Sequence, residues 1–267
     1  MDLSTISGVL MSLDETGALR FDPTIVVDEY KVRLLDELTA VYLDQQVCRG
    51  KDVAYSMYNG VYRKEDAAKL SGIPMRYELT LFPEKQVGRE YVKTLGHIHK
   101  PEPVSGIDYP EICEVLVGTA HFIFQTLDVS GPDSSTVFCV EVKAGEKIVM
   151  PPGFDHLTIN PGPGPMLFSD VVGLNVTGDY TRISAARGAA YLEVNQGGKP
   201  EFIPNPHYRR VGPLKKMKPR EFPQIHLTRN TPLYTAFLET GGNFWKFLVD
   251  PTLFKPAFKD LNELFQS

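Results

Sequence analysis

The sequence predicts an all-β protein, a sandwich or barrel of short strands, with a helix before it and an extension after it. Three observations carry that reading. From Met75 onward, short runs rich in apolar and β-branched residues alternate with turns containing Gly and Pro. Those runs are too closely spaced to leave room for the helices of repeated βαβ units. At 267 residues, 42% hydrophobic and 23% charged, the chain can bury a sizeable core.

Taken in order, residues 1–24 have no strong period and read as an extended arm with a turn at Asp22-Pro23. From Val26 to Gln46, the spacing of Tyr30, Val32, Leu34, Leu35, Leu38, Val41 and Tyr42 approximates one face of a helix, and Gly50 follows as a stop. Val53–Arg63, rich in Tyr and Val, is the first predicted strand, and polar residues make 64–74 a loop. Further strands are expected at 76–82, 89–99, 111–117, 121–127, 137–142, 147–150, 156–160 and 166–174. Turns such as Ala144-Gly145-Glu146 and Pro161-Gly162-Pro163-Gly164-Pro165 separate the later ones. Residues 191–193 and 201–203 flank Gln196-Gly197-Gly198-Lys199, a predicted hairpin.

The expected division is a domain over residues 1–208 and an extension over 209–267. The extension begins basic (Arg209, Arg210, Lys215, Lys216, Lys218, Arg220) and ends aromatic around Trp245. Its expected role is packing, on the barrel or on a partner subunit.

Bulk properties narrow the function. The net charge of −5, without a long basic run, argues against nucleic acid or an anionic membrane as the main partner. Cys48, Cys113 and Cys139 form no CxxC pair and too odd a set for a disulfide framework, which suits a reducing compartment. Met1–Thr5 lacks the basic and apolar pattern of a leader, and no apolar run is long enough to span a bilayer. The expected location is the cytoplasm.

The residues that carry chemistry are Gly96-His97-Ile98-His99, Glu111, and His156 after Pro151-Pro152-Gly153-Phe154-Asp155. Residues two apart on a strand share a face, so His97 and His99 point into one space. A carboxylate after a loop and a third imidazole on a later strand can close a metal site there. Such ligands suit iron, manganese, nickel or zinc better than calcium or magnesium. Glu114 competes with Glu111 for the carboxylate position, with Glu102 and Asp108 behind it. His121, His207 and His226 are assigned no chemistry.

These two histidine-bearing motifs resemble those of the cupin superfamily, whose members are double-stranded β-helix barrels with a metal at the mouth. The resemblance is closer to one branch, the cupin-type glucose-6-phosphate isomerases known mainly from archaea. It rests on Gly88-Arg89-Glu90-Tyr91, Thr94–His99, Pro152–His156 with Thr158 and Asn160, and Gly178-Asp179-Tyr180. It runs from the N-terminal arm through Asn205-Pro206 and leaves residues 209–267 outside.

The resemblance implies one divalent metal per subunit, with Fe2+ favoured, held by His97, His99, Glu111 and His156. It further implies that Thr80, Thr94 and Gly96 form part of a sugar-phosphate site and that the chain is a homodimer. Glu111 is the candidate catalytic base of a proton transfer, with a direct hydride shift between C2 and C1 as the competing route. Three positions depart from the family pattern. Cys113 and Val172 stand where tyrosines are expected, with Tyr109 a replacement for the first, and Gly178 stands where a histidine is expected. The implied reaction interconverts glucose 6-phosphate and fructose 6-phosphate. The alternatives are another metal-dependent cupin enzyme, a dioxygenase among them, and a non-catalytic sugar-binding cupin.

Overall fold

A computed structural model describes residues 1–48, 50–128, 131–258 and 260–266. Eleven strands, here numbered in chain order, form its two main sheets. The first sheet contains β1 (Ile25–Leu34), β2 (Val53–Arg63), β3 (Met75–Phe82), β4 (Glu111–Val117), β7 (Lys147–Met150) and β9 (Met166–Gly173), in the spatial order β7-β4-β9-β3-β2-β1. The second contains β5 (Thr119–Gln125), β6 (Val137–Lys143), β8 (Asp155–Ile159), β10 (Leu214–Pro219) and β11 (Phe265–Gln266), ordered β8-β5-β6-β10-β11. From β4 to β9 the chain passes repeatedly between the sheets, which is how a jelly roll winds. Phe122 of β5 meets Phe168 of β9 edge-on at 5.7 Å, inside the core that both sheets share.

The central strands are apolar along their whole length because both faces are covered. On β5, Phe122 and Phe124 face the inter-sheet core, while Ile123 belongs to a second cluster with Leu157, Ile159 and Tyr208. A hairpin, Tyr191–Gln196 against Lys199–Pro204, turns at Gly197-Gly198 as the sequence predicts. His121 of β5 links it to the second sheet through Glu193, Nδ1 to Oε1 at 2.6 Å.

The N-terminal helix expected over Val26–Gln46 is absent. Ile25–Leu34 is strand β1, paired with β2 in a register that sets Tyr30 opposite Tyr58. Its β-branched and aromatic side chains favour the pleated edge of a sheet over a helix. Leu35–Val41 then forms a 3-10 helix, with Leu35, Leu38 and Val41 buried. The apolar spacing there is three, the period of that tighter helix, and not 3.6.

Other boundaries shift. The expected arm at 1–24 contains a helical turn at Ser4–Ser7 and a small hairpin, Met11–Leu13 with Leu19–Phe21. The loop at 64–74 carries two short helical turns, Lys64–Asp66 and Ala67–Leu70. The single strand expected at 89–99 is two short pieces, Glu90–Tyr91 and Ile98–His99. Gly96 separates them at φ +78°, a left-handed conformation that interrupts a ladder.

Residues beyond 208 extend the second sheet and pack against the core. β10 pairs in parallel with β6, and helix α1 (Leu233–Thr240) buries Leu233, Tyr234, Ala236 and Phe237. Trp245 is fully buried, and its indole N–H donates to the Ile225 carbonyl at 2.8 Å. Among the described residues, no helix is long and apolar enough to cross a membrane.

Candidate metal centre

Backbone pairing builds the centre. His97 and His156 form an isolated antiparallel bridge, and His99 pairs with Gly178 in a two-residue ladder. This places three rings around one point, with centroids 4.5 Å (His97–His156), 5.0 Å (His99–His156) and 5.1 Å (His97–His99) apart. One nitrogen from each ring lies within 4.8 Å of the other two.

Two glycines make the approach possible. A Cβ on Gly96 would sit 2.6 Å from Ile183 Cδ1 and 3.3 Å from the His156 carbonyl oxygen. A Cβ on Gly178 would sit 2.7 Å from Cδ2 of His97, so the histidine of the family pattern cannot stand there with His97 in this position.

Hydrogen bonds fix which nitrogens face inward. His99 Nδ1 donates to the Tyr109 carbonyl at 2.7 Å, which turns its Nε2 toward the Glu111 carboxylate. His156 Nδ1 lies 3.2 Å from the Phe154 carbonyl, and its Nε2 is buried with no partner among the described residues. Burial, then the neighbouring imidazoles, hold His97 well below the ordinary histidine range and bring His156 down to about 4. Both rings are therefore neutral near pH 7, the form a metal needs.

Glu111 begins β4 with its Oε2 3.3 Å from His99 Nε2. Its Oε1 accepts from the Cys113 thiol at 2.9 Å. Burial alone would raise this carboxyl, but the hydrogen bond and charge of His99 outweigh it and hold the group low. Glu114 lies on the opposite face of the same strand. It is satisfied by Lys147 at 2.6 Å and by the Leu233 N–H at 2.7 Å, with burial pushing its carboxyl up to about 7. Glu102 accepts from its own loop, the N–H groups of Val104 and Ser105. A buried orphan imidazole nitrogen, two neutral imidazoles and an adjacent carboxylate fit a borderline divalent ion.

Thr80, Thr94 and Gly96 line the same cavity of about 150 Å3 as the three histidines and Glu111. Thr94 Oγ1 accepts from the Thr158 N–H at 2.9 Å. Tyr109 does not replace the missing aromatic in the cavity wall: its ring packs with Val172 and Val176, and it serves the site through its carbonyl.

The sequence reading missed several cavity residues. Tyr180, part of the Gly178-Asp179-Tyr180 motif but without an assigned role, lies tilted against His97 with ring centres 5.1 Å apart, and the Arg33 guanidinium is 5.9 Å from its ring centre. Tyr55, Asn59, Arg76, Glu78 and Asp170 also line the space. Strand alternation could have found Arg76 and Glu78, because both share the face of Thr80.

Comparison with known proteins gives the chain its relatives. The sequence model of the glucose-6-phosphate isomerase family matches residues 32–205, more than half the chain. The chain belongs to the glucose-6-phosphate isomerase family. A glucose-6-phosphate isomerase of Thermococcus litoralis is 27% identical over 197 residues, 72% of this chain and 94% of that protein. Those of Thermococcus onnurineus (strain NA1) and Pyrococcus horikoshii are 24% and 25% identical, each over 67% of this chain and 87% of the relative. The family match holds the motif residues from Thr80 to His156 and stops short of the extension.

Proposed function

We propose that this chain interconverts glucose 6-phosphate and fructose 6-phosphate with one divalent metal per subunit, Fe2+ first among the candidates. One observation carries the reading: three inward imidazole nitrogens within 4.8 Å of one another, on a chain whose residues 32–205 match the isomerase family. His97, His99, Glu111 and His156 would hold the ion. A divalent ion bound there supplies Lewis acidity that stabilises negative charge developing on the sugar's C1 and C2 oxygens.

The rest falls to the chain's own groups. Glu111 takes the C2 proton and returns it to C1 while the C2 hydroxyl proton passes to the C1 oxygen, with Cys113 and His99 fixing the two Glu111 oxygens. Coordination lowers the basicity of such a carboxylate, and the low-lying Glu111 carboxyl has the same tendency. Thr80, the Gly96 N–H and Thr94 anchor the phosphate end and orient the sugar. Further parts of the proposal are a homodimeric cytoplasmic enzyme, with residues 1–208 as the catalytic domain and 209–267 as its extension.

The test is to strip metal from the purified chain with a chelator, then restore Fe2+, Mn2+, Ni2+ or Zn2+ one at a time. Glucose 6-phosphate should turn over only in loaded samples, with about one ion per chain by elemental analysis. Turnover by metal-free protein, or none with any ion, refutes the reading.

A further inference from the structure

One wall of the cavity carries three polar side chains, Asn59, Glu78 and Asp170, that the metal site does not use. Asn59 on β2 pairs with Glu78 on β3, Glu78 with Asp170 on β9, and Asp170 with Cys113 on β4. The two acids differ in their surroundings. Glu78 is ion-paired with Arg76, which also donates to the Leu174 carbonyl at 2.9 Å. Asp170 is only 5% exposed, lines the cavity, and has an Oδ1 with no partner among the described residues. A buried carboxyl oxygen without a donor is costly, so its place in a cavity wall calls for a ligand that donates to it.

The position narrows what that ligand is. Asp170 sits opposite Cys113, one step diagonally from Glu111 on the same face, and diagonal neighbours across strands are roughly 7 Å apart. A hexose whose reacting carbons lie at Glu111 therefore extends its later hydroxyls toward Asp170. Hydroxyls donate to carboxyl oxygens, and two neighbouring acids can accept from two neighbouring hydroxyls.

We propose that Asp170, supported by Glu78, binds hydroxyls of the sugar beyond C2 and sets which sugar phosphate the chain accepts. This rests on the isomerase reading above and assigns its specificity to a named wall of the cavity.

The experiment compares metal-loaded wild type, Asp170→Asn and Asp170→Ala on glucose 6-phosphate and on its 3-deoxy and 4-deoxy analogues. Wild type should lose about 10- to 100-fold in kcat/KM on the analogue lacking the bound hydroxyl. Asp170→Ala should lose a similar factor on glucose 6-phosphate and no longer distinguish that analogue. Asp170→Asn, which keeps an oxygen acceptor, should fall between them and fold as wild type does. Metal content should stay at one ion per chain throughout. Equal discrimination by wild type and Asp170→Ala would overturn the role of Asp170 and leave the isomerase intact. A second divalent ion per chain, lost in Asp170→Ala, would overturn it by making the acids a cation site. A loaded wild type inactive on every hexose 6-phosphate would remove the isomerase reading itself, and this assignment with it.

Discussion

His97 and His156 exchange backbone hydrogen bonds: the His97 N–H donates to the His156 carbonyl at 3.0 Å, and the His156 N–H returns the bond at 2.8 Å. The two residues are 59 positions apart in sequence. Their pairing brings the rings to 4.5 Å and ties one imidazole-bearing segment to β8. The cluster of three imidazoles that could hold an ion is thus set by main-chain pairing.

Replacing His97 or His156 with Ala should therefore empty the site and leave the fold standing. The backbone bridge does not depend on either ring. Elemental analysis of both variants should show metal near background, with circular dichroism unchanged. Wild-type metal content in either would remove that residue from the ligand set.

The two acids of β4 should separate cleanly. Glu111→Gln should lower kcat by about 10²- to 10⁴-fold, the usual contribution of a positioned base, with little change in melting temperature. Glu114→Ala strands Lys147 in the core and should cost about 3 kcal/mol of stability instead. Activity per folded molecule should survive in the second variant. Denaturant titration beside steady-state kinetics checks both.

Relative to a His156→Ala control, metal-free protein should lose stability as pH falls from about 6.5 toward 4. Burial depresses the folded-state pKa of His156 to about 4, so the unfolded chain binds the extra proton across that window. Stability from this group is fully present above the unfolded pKa of roughly 6.5 and amounts to about 3 kcal/mol there. His97 shifts in the same direction. Glu114, raised to about 7, gains its proton on folding over the same window and opposes the trend, so urea midpoints at pH 7, 6 and 5 are compared between chelated wild type and His156→Ala. The midpoint difference should shift against wild type in that order, and a difference independent of pH contradicts a neutral, buried His156.

Gly178→Ala should weaken metal binding without touching a ligand. The new Cβ would press against the His97 ring at 2.7 Å, and a ring held by its bridged backbone has little room to retreat. Titration of the chelated variant with Fe2+ or Mn2+ should show reduced affinity. Affinity equal to wild type would mean that His97 is free to move, or is not a ligand.

Much of this protein is legible in the chain alone. Val53–Arg63, Glu111–Val117 and Lys147–Met150 are strands with the very bounds that their residues predict, because β-branched runs between turn residues leave little choice. His97, His99 and His156 are visible as a set through strand alternation and the Pro-Pro-Gly turn. The sequence misleads at Val26–Gln46, where apolar spacing suits a helix until pairing with β2 decides for a strand. It also left Glu111 and Glu114 as rivals. Strand alternation puts them on opposite faces, yet only the packed structure shows which face meets the imidazoles and which meets Lys147. Asp170 was invisible for the same reason: a lone acid in an apolar run declares neither its neighbours nor its lack of a partner. Local chemistry selects the elements and the ligand types, because propensity and alternation act within a few residues. Which side chains converge, and which buried oxygen is left waiting for a donor, depends on contacts between strands far apart in the chain.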